Sequence, residues 1–475
     1  MPLIRMRRRD LFAGASTLAL GALARDAGAQ APVGYPRLLE GPMVGANGAN
    51  HLLVWGRTSG PFDVALEVSR TRDFRDARTG PVVRAVAEND FCVAARMDGL
   101  QPATDYYYRF RIQGGLDRYA PYPYRTKTAP SGRAPIRVAF GSCARSQIDM
   151  EQRIFTSVMA LEPDMFLWLG DNVYADSTEP SALADLYRRQ RLIDRALPLY
   201  RSIPNLATWD DHDFGYNDSD RTNPMRADSL RLFKAYWANG AYGARNTDGI
   251  FSTYTFGGVD FFILDGRYHR DPSPGPSTPQ KTMLGAAQLD WLRQELRRSR
   301  APFKVLVSGS GWSSAERVGG DSWAVYQHER DALFDFIRDE RIEGVFGISG
   351  DSHMGELNCI PWSERGGYDF YDFCSSPLAQ LPDIDFIDQM PEIRIRETYA
   401  RSVNFGMLDF QWEPEPRMTF TLHNHLGAPV WAPLTLTPAD LRNGRATWRE
   451  KIDADELVRL ERYRAGGAYF VPEVE

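Results

Sequence analysis

Cysteine is scarce in this chain, and no excess of positive charge is present. The 475 residues include four cysteines, too few for a disulfide scaffold in a protein of this size. Cys359 and Cys374 flank one short segment. A disulfide between them is one alternative, and the sequence does not decide it. The net charge is −6, whereas proteins that bind nucleic acids usually carry a basic face. We therefore expect no binding of duplex nucleic acid, while small phosphate esters stay compatible with a metal site.

Long apolar runs are also missing beyond the N-terminus. One apolar run covers residues 11–24, directly after Arg8 and Arg9, and Ala27-Gly28-Ala29 follows it. The run is too short for a comfortable membrane span, and the whole pattern resembles a twin-arginine signal peptide. It predicts a signal at 1–29, recognition by the twin-arginine export machinery, and a periplasmic or secreted mature chain without a transmembrane segment. An ordinary secretion signal or an N-terminal anchor is the alternative.

Composition divides the remaining chain into three parts. Residues 35–128 hold short strand-like runs separated by Gly, Pro and Asp, which is typical of a small all-β sandwich of the immunoglobulin or fibronectin kind. Strands alternate with helices over 135–436, which predicts a layered α/β domain. Residues 437–475 are predicted to form a charged, helical C-terminal extension.

Carboxylates and histidines follow several apolar runs at the point where each run stops. The runs are FLWLGDNVYAD at 166–176, ATWDDHDFGYN at 207–217 and ISGDSHMGEL at 348–357. A fourth strand-like run ends at Cys143. Ligands of open α/β sheets bind beyond the carboxyl ends of the strands. The pattern therefore predicts that these residues meet in a multi-metal hydrolase site.

The residue types in these runs indicate which cations they would bind. Asp171 and Tyr174 stand three residues apart, and a phenolate is a hard ligand that favours Fe(III); a helix-capping Asp with a core Tyr is the alternative. Asp210 and Asp211 belong to a run of crowded carboxylates that is costly unless a cation neutralises it. Asn217 adds an oxygen ligand of the kind that calcium takes.

The remaining candidate ligands are Asp351, His353 and Cys143. Asp351 and His353 follow a strand with one residue between them, and the chain has only seven histidines. Cys143 ends a strand-like run of its own, which places it at the same strand ends as the acidic motifs. A metal would hold it as thiolate. A buried cysteine that serves only as a small apolar residue is the alternative.

Five segments, read in order, resemble the alkaline phosphatase D (PhoD-like) family of metallophosphatases. They are FGSCARSQ, GDNVYAD, WDDHDFGYND, LDGRYHR and SGDSHMGEL. The resemblance runs from about residue 35 to beyond 422 and implies a metallophosphoesterase-type catalytic domain that uses Fe(3+) and Ca(2+). It implies an iron shell of Cys143, Asp171, Tyr174 and His353, and calcium ligands Asp171, Asp211, Asn217 and Asp351.

The same resemblance implies the catalytic residues His212, Asp210, Arg267 and Arg270. His212 would face the phosphate or the leaving group and protonate the leaving alkoxide. The arginines would orient substrate or support the site, with structural ion pairing as the alternative. A metal-bound hydroxide or oxide would attack phosphorus in line. The chain departs from the wider metallophosphoesterase group because it lacks the first-motif Asp-x-His and has no His within 308–312.

These observations favour a secreted phosphatase that hydrolyses phosphomonoesters and also has phosphodiesterase activity. A dedicated phosphodiesterase, of the phospholipase or wall-polymer type, would use the same fold and metals. A non-catalytic binding module attached through the sandwich is a third hypothesis, and the dense acidic segments argue against it.

Changing Arg8 and Arg9 together to Lys should leave the protein in the cytoplasm, because the paired arginines are the address that the twin-arginine machinery reads. Cell fractionation and immunoblotting of precursor and mature forms measure this. Arg5→Lys, outside the pair, should be exported like the wild type. Normal export of the Arg8→Lys/Arg9→Lys variant would show that the signal is of another kind.

Overall fold

The structure, a computed structural model, describes residues 34–465 except 118, 121, 122, 313–321 and 384–392. The predicted signal at 1–29 lies outside the described residues, and export therefore stays a prediction. None of the helices in the described ranges is long and apolar enough to cross a bilayer.

The front part of the chain folds into two antiparallel sheets. One has the strand order β1-β2-β5, and the other has β4-β3-β6-β7 with β8 also paired to β6. Along β6, residues 106, 108, 110 and 112 are buried and alternate with more exposed neighbours, as a half-buried strand requires. The all-β prediction is thereby confirmed. The strands are β1 (Leu38–Val44), β2 (His51–Thr58), β3 (Asp63–Ser69), β4 (Arg78–Arg84), β5 (Cys92–Asp98), β6 (Asp105–Ile112), β7 (Gly115–Leu116) and β8 (Tyr124–Lys127).

The larger part of the chain combines strands and helices, as the sequence predicts. Its strands are β9 (Ile136–Gly141), β10 (Met165–Leu169), β11 (Asn205–Thr208), β12 (Ser252–Phe256), β13 (Val259–Ile263), β14 (Lys304–Val307), β15 (Val345–Ser349), β16 (Gly355–Ile360), β17 (Phe370–Ser375), β18 (Asn404–Gln411), β19 (Arg417–Asn424) and β20 (Leu434–Leu436). Its helices are α1 (Ile154–Ala160), α2 (Pro180–Gln190), α3 (Leu197–Ser202), α4 (Asp211–Phe214), α5 (Arg226–Tyr236), α6 (Ala286–Arg298), α7 (Gln327–Asp339) and α8 (Ala454–Arg464).

Two mixed six-stranded sheets pack against each other in this part. Their strand orders are β11-β10-β9-β18-β19-β20 and β12-β13-β14-β15-β17-β16. Phe373 of the second sheet stacks on Phe420 of the first with ring centroids 4.5 Å apart, and both rings are buried. The main apolar core therefore lies between the two sheets.

Helices cover the outer faces of the sheets. Along β10, Leu167 packs into the core between the sheets, whereas Phe166 and Trp168 join a second core with α1, α2 and α5. This alternation follows the two-residue period of a strand. Leu292 of α6 and Leu333 of α7 are fully buried in the first core. The arrangement confirms a layered α/β architecture.

The front sheets share a buried junction with the helices of the larger part. The Trp55 indole N–H donates to the Ala235 carbonyl at 2.7 Å, and Trp55 belongs to the core that contains α5. Asp90 accepts hydrogen bonds from the Tyr236 hydroxyl and from Arg188 Nε, the latter at 2.8 Å. Apolar packing and charge-assisted hydrogen bonds thus join the two parts.

The C-terminal extension is less helical than the sequence suggests. Up to residue 465, only α8 and a short 3-10 turn at Trp448–Lys451 are helical. Asp440, inside a segment predicted to be helical, instead accepts hydrogen bonds from Thr437 and Thr447 and pairs with Lys451. Gly444, with φ of 80°, also interrupts a regular helix.

All four cysteines are free. Cys359 on β16 lies opposite Tyr371, and Cys374 on β17 lies opposite Glu356. The register of these antiparallel strands therefore keeps Cys359 and Cys374 apart, and the structure contains no disulfide between them.

Candidate metal centre

The candidate residues lie beyond the carboxyl ends of parallel strands from both large sheets. β9, β10 and β11 are parallel in one sheet, and β13, β14 and β15 are parallel in the other. The residues that follow these six strands are Cys143 after β9, Asp171 and Tyr174 after β10, Asp210, Asp211 and His212 after β11, Arg267 and Arg270 after β13, Ser310 after β14, and Asp351 and His353 after β15. Because parallel strands end at one edge, the loops meet there.

Glycine permits the close approach of these loops. Gly170 has φ of +86°, and a Cβ at this position would lie 2.6 Å from the Asp210 Cβ. A Cβ on Gly350 would lie 2.5 Å from the Ser142 side chain. Larger residues would therefore push apart the strand ends that carry Asp171 and Asp351.

Four candidate ligands have a left-handed backbone. Their φ angles are 61° for Cys143, 51° for Asp171, 71° for Asp351 and 54° for His353. Such a conformation is unfavourable for a residue other than Gly and costs on the order of 1–3 kcal/mol. Described residues away from this edge, such as Phe74 and Ala103, adopt the same conformation, so the strain accompanies the candidate site but does not define it.

The four residues of the predicted iron shell lie close together. The ligand atoms of Cys143, Asp171 and His353 lie within 4.8 Å of one another. Cys143 Sγ is 3.6 Å from Asp171 Oδ2. The Tyr174 hydroxyl is 3.2 Å from His353 Nε2. A thiol, a phenol, an imidazole and a carboxylate therefore converge on one position.

Two further groups share residues with the first. Asp171, Asp211 and His212 form one, and Asp210, Asp211 and Asp351 form the other. Asp211 Oδ1 is buried without a hydrogen-bond partner among the described residues, and Arg267 Nη2 is 3.7 Å away. The guanidinium offsets part of the charge of these carboxylates and a bound cation would offset the remainder, so the donor set fits a metal centre.

Asn217 lies at the edge of this region. The residue is exposed, and its neighbour Asp218 donates its backbone N–H to Asp211 Oδ2 at 2.7 Å. This hydrogen bond ties the loop to Asp211 at Asp218, and the role of Asn217 as a ligand stays a prediction.

The pKa shifts of the buried groups also fit a metal centre. Burial, reinforced by the charge of Asp211, raises the pKa of Asp171 well above its usual range. Burial also raises the pKa of the Cys143 thiol to about 12 and that of the Tyr174 phenol far above its ordinary value. Burial alone would raise the pKa of Asp211, but the Arg267 guanidinium lowers it, and the resulting pKa lies below the usual range. A bound cation would replace the protons that the other groups otherwise hold.

The two arginines of LDGRYHR are buried beneath the acidic residues. Arg267 is fully buried, donates from Nε to Asp210, and has Nη2 3.7 Å from Asp211 Oδ1. Arg270, equally buried, donates to the Tyr326 hydroxyl at 2.9 Å and to Ser273 Oγ at 3.0 Å. These contacts favour support of the site over direct contact with substrate.

Three contacts at the site escape a reading of the sequence. His212 Nδ1 is hydrogen-bonded to Asp176, which closes the GDNVYAD segment. Ser310 Oγ donates to Asp210 at 3.2 Å. Ser376 Oγ lies 3.2 Å from Cys143 Sγ, across more than two hundred residues of chain. Only Asp176 carries a local signal, namely a carboxylate at the end of a ligand-rich loop.

Comparison with known proteins gives a consistent result. The model of the PhoD-like phosphatase family matches residues 138–385, and the model of its N-terminal domain matches residues 24–130. Alkaline phosphatase D of Bacillus subtilis (strain 168) is 26% identical over 472 residues, covering 84% of this chain and 77% of that protein. A solved structure of PhoD covers 91% of this chain and 98% of its own, with a TM-score of 0.70 at 18% identity.

A more distant likeness extends to a purple acid phosphatase isolated from yellow lupin (Lupinus luteus) seeds. It has a TM-score of 0.57 at 12% identity and covers 83% of this chain and 74% of its own. At such identities, the two structural matches show a shared fold.

The fold and the clustered ligands define a metal-binding hydrolase that acts on phosphoric esters. More particularly, the chain belongs to the PhoD-like phosphatase family, since the family model matches the segment from β9 through the loop after β17.

Asp171→Asn should remove more bound metal than Cys143→Ala, because Asp171 belongs to two of the three ligand groups and Cys143 to one. Elemental analysis of purified protein measures the metal per chain. Asp185→Asn, an exposed carboxylate paired with Arg189, is the matched control and should keep the full content. Equal losses in the Asp171 and Cys143 variants would contradict the shared-ligand arrangement.

Proposed function

We propose that this protein is a secreted phosphatase that hydrolyses phosphomonoesters, also accepts phosphodiesters, and uses Fe(3+) and Ca(2+). The observation that carries the proposal is the convergence of Cys143, Tyr174 and His353 with several carboxylates around one shared residue, Asp171. The secreted location rests on the Arg8-Arg9 pattern alone.

The donor types suggest which cation each group would hold. Cys143, Asp171, Tyr174 and His353 offer sulfur, nitrogen and phenolic oxygen, a set that suits iron. Asp211, Asp351 and Asn217, together with Asp171, offer the oxygen ligands that calcium requires. When bound, the cations would stabilise charge on the phosphoryl group and supply a water acidic enough to act as nucleophile near neutral pH.

His212 is oriented to serve the leaving group. Its Nδ1 is bound to Asp176, and its side chain is 13% exposed, so Nε2 is the ring nitrogen left for substrate. The ring lies against Tyr174, with centroids 4.2 Å apart, which restricts its rotation. When protonated, His212 donates from Nε2 to the leaving oxygen, and Asp176 stabilises the imidazolium.

Asp210 and Arg267 form the frame beneath the ligands. Asp210 accepts from Arg267 and Ser310, and it precedes the short helix α4, in which Asp213 accepts the Asp210 N–H at 3.1 Å. This frame fixes the backbone that presents Asp211 and His212. Accurate placement of reactive groups accounts for a large share of catalytic rate enhancement.

Hydrolysis by the purified mature protein should require its metals. Exhaustive removal of calcium with a chelator should abolish release of phosphate from an aryl phosphomonoester, and re-addition of calcium should restore it. A bis-aryl phosphodiester assayed in parallel separates a monoesterase with diesterase activity from a dedicated diesterase. Full activity in metal-free protein, or activity on diesters alone, would overturn the proposal.

The iron-loaded protein should be coloured, because phenolate and thiolate donate electron density to Fe(III) and produce visible charge-transfer absorption. Tyr174→Phe should remove or shift that band while the fold stays intact, since a single oxygen is lost. Tyr200→Phe changes an equally buried tyrosine away from the ligand groups and should leave the spectrum unchanged. An iron-replete Tyr174→Phe/Cys143→Ala variant with the wild-type spectrum and activity would show that both residues only pack.

A further inference from the structure

Arg145 is held in a hydrogen-bonded turn, two residues after the candidate ligand Cys143. Its backbone N–H donates to the Ala379 carbonyl at 3.1 Å, and its own carbonyl accepts from the N–H groups of Ile148 at 3.0 Å and Asp149 at 3.2 Å. The position of its Cα beside the metal centre is therefore fixed by three hydrogen bonds.

The guanidinium of Arg145 lies beside Tyr174 and is only weakly paired. Its Cζ is 5.0 Å from the centre of the Tyr174 ring, a distance that suits a cation–π contact. Its Nη2 is 4.0 Å from Asp176 Oδ2, the outer limit of an ion pair, and Asp176 is already bound to His212. Its Nε is buried without a hydrogen-bond partner among the described residues. The donors that the group can offer to an incoming anion are therefore those on Nη1 and Nη2.

Exposure distinguishes Arg145 from the other two arginines at the site. The Arg145 side chain is 34% exposed, whereas Arg267 and Arg270 are fully buried and bonded to protein groups. An incoming phosphate can therefore reach Arg145 without displacing a buried ion pair.

Arg145 lies next to a partly exposed member of the metal centre. Cys143, Asp171 and Asp211 are buried, whereas Asp351 and His353 are partly exposed. The Arg145 guanidinium lies over the Tyr174 ring, and the Tyr174 hydroxyl is hydrogen-bonded to His353. A substrate that reached His353 from solvent would therefore come close to the guanidinium.

We propose that Arg145 binds a terminal phosphoryl oxygen and thereby favours phosphomonoesters over phosphodiesters. This inference rests on the proposed function. A monoester has three terminal oxygens and a diester two, because the second ester group replaces one of them. If bound cations held two of these oxygens, the monoester would offer a third, charged oxygen to Arg145, and the diester would offer an alkoxy or aryloxy group. A guanidinium forms strong, charge-assisted hydrogen bonds with phosphate oxygens.

The test compares monoester and diester hydrolysis by metal-loaded wild type and Arg145→Ala. Loss of a charge-assisted hydrogen bond should lower kcat/KM for an aryl phosphomonoester by about 10- to 100-fold. Diester hydrolysis should fall less than about threefold, because no equivalent charged oxygen is present. The inhibition constant of inorganic phosphate, measured against the diester, should rise in parallel with the monoester defect.

Three further variants separate charge from packing. Arg145→Lys keeps the charge without the fork and should recover part of the monoester activity. Arg145→Met keeps an unbranched apolar stem against Tyr174 and should show the selective monoester defect, including in the case where the alanine variant loses metal. Arg153→Ala removes an arginine from the same stretch of chain, 77% exposed and paired with Glu151, and should match the wild type.

The outcomes distinguish this inference from the proposed function. If the wild-type protein were inactive on both substrates, that result would contradict the proposed function itself. An active wild type whose Arg145→Ala and Arg145→Met variants lose both activities equally would show that Arg145 only supports Tyr174 and Asp176. Unchanged ratios of the two activities and an unchanged phosphate inhibition constant would overturn the inference as well.

Discussion

Buried negative charge is the constraint on which the rest of the structure depends. Asp171, Asp210 and Asp211 are buried, and the partly exposed Asp351 lies within a few ångströms of Asp210 and Asp211, so the like charges repel strongly. The Arg267 guanidinium neutralises part of this charge through its ion pairs with Asp210 and Asp211. The remaining negative charge is stable only when protons or cations occupy the centre. The geometry of the ligands and the choice of metal therefore depend on each other.

The layered sheets supply the rigidity that such a centre needs. Six parallel strands from two sheets end at one edge, and the apolar core between the sheets fixes their spacing. Gly170 and Gly350 then let the loops approach closely enough to bring ligands from distant parts of the chain together. Ligands on short loops anchored by strands are held more accurately than ligands on long, free loops.

The sequence predicts well what is local and poorly what is distant. Asp171, Asp351 and their neighbours follow apolar runs, so their position at strand ends is legible. The layering of two six-stranded sheets is not, because β9 pairs with β18 across more than two hundred and fifty residues. The partners Ser310 and Ser376 are hidden for the same reason. Burial of Arg267 and Arg270 likewise depends on packing that no short segment encodes.

The junction between the front sheets and α5 has a consequence for how the chain could diverge. Trp55 belongs to the same apolar core as Phe233 and Trp237, and Asp90 joins the network of Tyr236. Recombination that transferred the catalytic part alone would remove the packing partners that the front sheets contribute to that core. Its aromatic side chains would then be exposed to water. The two parts are therefore expected to be inherited as a unit, even though the candidate ligands among the described residues all lie in the larger part.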